Sequence, residues 1–281
     1  MAMPDFISGL IKPAYRRVFF GLWISLCSYV AFAEGEHRLE FGFGAGGQSL
    51  NHYRGSKERE TVVLPFPIVI YSGDFLKIDE EDGLRGEFFA NHEVEFNLSG
   101  DLELRSSSKD NLLRAGMPEL DTAMQLGPEF NLNLSGKDFS EGWALRVPLR
   151  MAFTVTLDDP QIIGYTFNPK LTYKRPGFFA GWRLKSDVAL LYATEKFHDY
   201  YYQIDEEFVA SERPLFDAKG GYSGAYLKLG FLKRHRNWLM NVSLRYDYLA
   251  NAKFVDSPLV ETENYFSISF GVAYLFRERR W

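Results

Sequence analysis

From about residue 37 to the end of the chain, apolar and polar residues alternate with a period of two, and only an extended strand puts every second side chain on one face. The longest run is Trp143, Leu145, Val147, Leu149, Met151, Phe153, Val155 and Leu157, with Arg146, Arg150, Thr154 and Thr156 between them. The same rhythm runs through 94–104, 124–134, 165–174, 182–190, 225–231, 238–248 and 266–276. Less regular stretches at 37–46, 61–71, 75–80 and 84–90 bring the expected count to twelve strands, an even number as in bacterial single-chain barrels. The expected fold is all-β, an antiparallel transmembrane β-barrel.

Alternation does not say which face is wet, since a soluble barrel with an apolar interior shows the same period. Three features put the apolar face in lipid. Long polar connections at 47–60, 105–120, 193–217 and 251–264 alternate with tight turns at Ser72-Gly73-Asp74, Asn91-His92 and Arg175-Pro176-Gly177, the asymmetry of outer-membrane barrels. Aromatic residues make up 16% of the chain and cluster near strand ends, with Tyr71, Trp143, Tyr173, Trp182, Trp238 and Phe276 toward the periplasm and Tyr192 and Tyr248 toward the outside. The last strand stops at Phe276, with only a short basic tail ending in Trp281 beyond it.

Residues 1–33 read as a signal peptide: Lys12, Arg16 and Arg17 precede an apolar run from Val18 to Val30, closed by Ala31-Phe32-Ala33. A membrane anchor is the alternative, but the run is shorter than the ~20 residues a spanning helix needs. The expected organisation is therefore a signal at 1–33 and one outer-membrane barrel at 34–281. The one cysteine, Cys27, lies in the signal behind Leu26, where a lipoprotein signal wants a small residue, so neither acylation nor a disulfide is expected. Loss of Lys12, Arg16, Arg17 and Asp5 makes the exported part more acidic than the whole chain, whose net charge is −5, and gives no reason to expect a nucleic-acid partner. Outer-membrane lipid is the expected surrounding.

With the apolar set facing lipid, the polar set lines the interior, and its charges divide. Strands four to six supply Glu87, Glu95, Asp101, Glu103 and Glu129, while strands seven to nine supply Arg146, Arg150, Lys170, Lys174, Arg183 and Lys185. Either these charges close the lumen with ion pairs or they impose a field across a narrow water path. A small barrel favours a filled lumen. The five histidines, His37, His52, His92, His198 and His235, are scattered, and none lies in an HExxH helix or beside a GxSxG elbow. His198, among Glu195, Asp199, Glu206 and Glu207, has the company of a general base or metal ligand, although an exposed loop histidine is the simpler account. No catalytic residue, metal or cofactor is expected. The aromatic loop from Tyr200-Tyr201-Tyr202 to Phe216 is expected to pack at the barrel mouth.

Several segments resemble the MipA/OmpV family. Val63-Leu64-Pro65-Phe66-Pro67, Tyr71-Ser72-Gly73-Asp74-Phe75 and Asp82-Gly83-Leu84 are similar to its opening. Glu195-Lys196-Phe197 to Tyr202, Pro214-Leu215-Phe216-Asp217-Ala218 with Gly220-Gly221, Asp256-Ser257-Pro258-Leu259-Val260-Glu261 and Ala273-Tyr274-Leu275-Phe276 follow in order. The resemblance implies an outer-membrane protein without enzymatic activity, a scaffold joining a murein transglycosylase to a murein synthase, with a porin-like role as the alternative; a lipid-modifying barrel enzyme is a more remote one. The tail Arg277–Trp281 departs from the usual terminal aromatic and leaves Phe276 and Trp281 both eligible as the assembly signal. The motif residues also have a local meaning. Gly73 and Gly83 are expected at turns with positive φ, and Pro65 and Pro67 remove two ladder donors, so the wall is expected to be irregular or unpaired there.

Overall fold

The computed structural model describes residues 37–103, 111–156 and 160–281. The signal segment and Leu157 lie outside the described residues, as does the side chain of Glu103.

Among the described residues the alternating sequence forms thirteen antiparallel strands in one closed sheet. In chain order they are β1 (Arg38–Asn51), β2 (Arg59–Ser72), β3 (Leu76–Asp79), β4 (Gly83–Ala90), β5 (Val94–Glu103), β6 (Ala123–Asn133), β7 (Gly142–Thr154), β8 (Ile162–Phe167), β9 (Lys170–Phe179), β10 (Trp182–Ala193), β11 (Gly221–His235), β12 (Trp238–Tyr248) and β13 (Asn264–Arg280). Among the described residues the one α-helix, α1 (Glu195–Tyr202), stands in the loop between β10 and β11. β8 and β9 both run between β7 and β10 and are two halves of one stave, so the barrel has twelve staves. The expected single strand 165–174 is split at Asn168-Pro169 because Pro169 has no N–H to give the ladder. Asn168 bridges the break, its side-chain amide donating to the Leu190 carbonyl at 2.8 Å. Closure comes from β13 against β1, in register from Arg38↔Arg280 to Ser49↔Ile268 with one irregularity at Phe41/Gly42. A closed sheet leaves few amides unpaired in lipid, which is the condition for spanning a membrane with strands.

The lipid face is apolar: Phe43, Leu149, Tyr165, Val188, Phe266, Ile268 and Phe270 are all exposed on the outside of the barrel. Paired rings mark its two borders, Trp143 with Tyr173 (4.8 Å) and Trp238 with Tyr274 (5.1 Å) at the end with short turns, Tyr192 with Tyr222 (5.6 Å) and Tyr246 with Phe266 (4.7 Å) at the other.

Two turns differ from expectation. The β9–β10 turn is not Arg175-Pro176-Gly177, which β9 runs through as an irregularity; it is Ala180-Gly181, both with positive φ (45° and 79°). A two-residue hairpin needs that conformation, and three residues can bulge out of a strand without ending it. Gly83 has the expected positive φ of 74°, but Gly73 is absent from the positive-φ set. Gly73 is instead confined by space, since a Cβ there would lie 2.5 Å from the Tyr71 hydroxyl.

The outer loops fold together as a cap with its own apolar core. Tyr53, Tyr201, Tyr202, Ile204, Leu249, Phe254 and Leu259 are almost fully buried in it. Tyr202 and Phe254 stack at 3.8 Å, the Tyr53 hydroxyl donates to the Leu259 carbonyl at 2.8 Å, and Arg114 donates to the Tyr201 carbonyl at 2.9 Å. The aromatic loop thus closes the mouth.

Candidate functional site in the barrel lumen

β3 is only four residues long, too short to reach the outer rim, and the turn that follows it, Glu80-Glu81-Asp82, folds into the lumen. There it meets the basic staves. Asp82 is ion-paired with Arg85 (2.9 Å), Arg146 (3.0 Å), Lys174 (2.7 Å) and Lys185 (2.8 Å), and its side chain is 4% exposed. Glu80 and Glu81 hold Arg183 at 2.8 and 3.0 Å, Glu81 lies 3.5 Å from Lys174, and Lys185 also donates to the Glu81 carbonyl at 2.8 Å. An ionic lock therefore crosses the barrel.

The charges named from sequence fall on both sides of this lock. Glu129 pairs with Arg150 at 2.9 Å and with Arg146 at 3.7 Å, and Asp101 lies 3.9 Å from Arg150. Glu87 pairs with Lys77 at 2.7 Å, whereas Glu95 meets no base among the described residues and accepts from the amides of Asn97 (3.3 Å) and Asn131 (3.2 Å). Lys170 faces the chamber above the lock. The sequence reading missed Glu80, Glu81 and Asp82, although four acids in a row from Asp79 are visible. In a short hairpin they look like a solvated turn.

A chamber of about 680 Å³ lies between lock and cap, and another of about 390 Å³ lies on the periplasmic side, lined by Asp138, Phe139 and Ser140 of the β6–β7 turn. In the upper chamber Asp247 pairs with Arg245 (2.7 Å) and Arg54 (3.1 Å), and Arg245 lies over the Tyr226 ring at 4.1 Å.

His198 is not an exposed loop histidine. It is fully buried on α1, its ring nitrogens 2.6 Å from the Lys219 carbonyl and 2.6 Å from Ser223 Oγ, and burial pushes its pKa down. Helix burial hides it because Phe254 covers one side of the ring (4.9 Å between centroids). A Ser–His contact needs an acid on the second nitrogen and room for a substrate to resemble a nucleophilic pair. Here a backbone carbonyl takes that place, and neither chamber is lined by Ser223 or His198. The pair ties α1 to β11.

The remaining motif residues serve the cap and the wall. Ser257 donates to the Tyr202 carbonyl (2.9 Å) beside Pro258, Asp217 pairs with Lys219 (2.6 Å), and a Cβ on Gly220 would sit 2.6 Å from the Glu195 nitrogen. Gly221 adjoins Lys253, and Asp74 is exposed in the β2–β3 turn. Pro65 and Pro67 lie in β2, which keeps unbroken register with β1 on one side. On the other side β2 pairs with β3 only at Tyr71 and Ser72, so among the described residues the edge from Arg59 to Ile70 has no strand partner.

The model of the family described as "MltA-interacting protein MipA" matches residues 43–276. The chain belongs to the MipA family. Among curated proteins nothing matches. Three solved structures are similar to this MipA-family chain. The translocator domain of the autotransporter NalP from Neisseria meningitidis has 10% identity over 94% of this chain and 96% of that one, TM-score 0.33. OprB of Pseudomonas putida has 8% identity over 92% and 97%, TM-score 0.33, and the outer membrane protease OmpT of Escherichia coli 8% over 89% and 99%, TM-score 0.31. The overlap is loose, and no property is carried over from them. Family and closed barrel together make this an outer-membrane protein.

Proposed function

We propose that this MipA-family barrel is a non-enzymatic scaffold for periplasmic murein enzymes, a transglycosylase and a synthase among them. The observation that carries the proposal is the lock around Asp82: a lumen crossed by a buried, multiply paired turn, under a packed cap, is poorly suited to bulk permeation. What is left for function is the surface. The family description, MltA-interacting protein, supplies the class of partner.

The periplasmic turns are short, but another surface is available. β12 ends at Trp238 opposite Tyr274, whereas β13 continues to Arg280 along β1, and β1 in turn pairs with β2 as far as Arg38↔Ser72. Among the described residues no strand takes the other edge of Phe276–Arg280, which carries Arg277, Arg279 and Arg280. An open edge of this kind accepts an extended segment of a partner.

The chambers on either side of the lock favour a second reading, a narrow gated channel. Two measurements separate them. The scaffold predicts no stable conductance in planar bilayers and recovery of murein transglycosylase with the barrel from crosslinked envelopes. A steady ion-selective step from the unaltered protein, with no murein enzyme recovered, would replace it with the channel.

A further inference from the structure

We infer that the outer half of the wall between β2 and β5 is a lateral portal, through which an amphiphile with one apolar chain and an anionic head passes from the outer leaflet into the upper chamber.

Among the described residues the wall is open there. β3 and β4 stop short because their connecting turn dives inward, so β5 is paired with β4 only through Glu95–Ser99 and the edge of β2 is free from Arg59 to Ile70. Gly73 donates to the Leu76 carbonyl, which puts the nitrogens of Tyr71, Val69, Pro67, Pro65 and Val63 on that free edge. Two of the five are prolines, which have no N–H to leave unsatisfied in lipid. The upper chamber borders the gap, since its lining includes Leu84 and Leu102 at the edges of β4 and β5.

The stave beside the gap is greasy on its inner face as well. Glu40 and Gln48 face the lumen on β1, and the β2 residues opposite that parity are Ile70, Ile68, Phe66, Leu64 and Val62. Gly42, Gly44 and Gly46 oppose them and leave room for flat packing; a Cβ on Gly46 would lie 3.0 Å from the Phe66 ring. Val62–Ile70 is thus an unbroken apolar run in a barrel whose other staves alternate. Ile68 is covered by Leu232, Leu239 and Ala273, but Leu64 stands exposed above it, and an apolar inner face facing water gains only from something apolar laid against it.

The chamber supplies the other end. Lys170 and Lys228 line it, and neither makes an ion pair with a described carboxylate. Asp187 lies opposite Lys228 in the sheet and is held by the Thr172 hydroxyl at 2.6 Å, while Asp101 and Glu129 are taken by Arg150. Two ammonium groups lining the chamber, with Glu129, Asp187 and Asp101 near them but each engaged by another partner, suit an anionic head.

The test uses the full-length protein in nanodiscs of zwitterionic phosphatidylcholine, with palmitic acid carrying a mid-chain diazirine as the probe. Irradiation is expected to label Leu64, Phe66 or Ile68 in addition to the outward Val63 and Phe270. The double variant Lys170→Gln/Lys228→Gln is expected to lose about tenfold of the inner labelling, the loss of a charge-assisted bond, with the outer labelling unchanged. The analogous palmityl alcohol probe is expected to label the inner positions weakly. If the lysine variant fails to fold, Leu64→Trp, at an exposed wall position, is expected to block the inner labelling alone. Labelling confined to outward residues, or inner labelling equal for acid and alcohol, overturns the portal and leaves the scaffold proposal untouched.

Discussion

Asp82 is the residue on which the interior turns. Four cations reach its carboxylate in a setting where it is almost fully buried, and removing one partner of such a cluster strands the others. Asp82→Asn is therefore expected to cost about 3–5 kcal/mol, read as a lower urea midpoint of the barrel refolded into lipid. Glu81→Gln, at a more exposed position with fewer partners, is expected to cost less. His198 gives a second prediction. Burial holds its pKa below the ordinary 6.5, so the folded cap refuses a proton that the opened cap accepts. Its stabilisation is complete above that value and is lost as the pH falls below it. Proteolysis of the loop after Lys219 is expected to accelerate between pH 7.5 and about 5.5, and to lose that acceleration in His198→Gln. The basic lumen residues were legible because their parity sets them opposite the lipid face. Their main partner was not, since nothing local to Asp79–Asp82 says that the turn points inward.

Among elements, β2 is the one that departs from the pattern of the barrel. Pro65 and Pro67 keep its free edge from acting as a template for another strand. Restoring the two donors with Pro65→Val/Pro67→Val is expected to raise the dimeric fraction on native gels, with the monomeric barrel otherwise intact. The β9–β10 hairpin offers a gain. Ala180 sits at φ 45°, a conformation that costs a residue with a Cβ roughly 1 kcal/mol, so Ala180→Gly is expected to stabilise the barrel by up to about that much, read as a higher urea midpoint. The strands and their faces were readable from period and turn residues. The misplaced turn at Arg175-Pro176-Gly177 was not, because proline and glycine mark a bulge as readily as a hairpin.

For the whole molecule, closure and the proposed docking edge occupy different parts of the same seam. Deleting Arg277–Trp281 removes the pairs from Phe41↔Arg277 to Arg38↔Arg280 and the backbone bonds of Trp281 to His37, but leaves Gly42↔Leu275 to Ser49↔Ile268. The truncated barrel is expected to keep the faster electrophoretic mobility of an unboiled folded barrel while losing crosslinked murein transglycosylase. Recovery of that enzyme at the wild-type level counts against the β13 edge as the dock. The antiparallel barrel and its lipid face were written in the alternation of each strand, and the family in its motifs, because these are local properties that a segment carries alone. The lock of the Glu80–Asp82 turn, the burial of His198 under the cap and, among the described residues, the open edge of β2 emerge only from the folded barrel. Each of these depends on which distant stave a turn happens to meet once the sheet has closed.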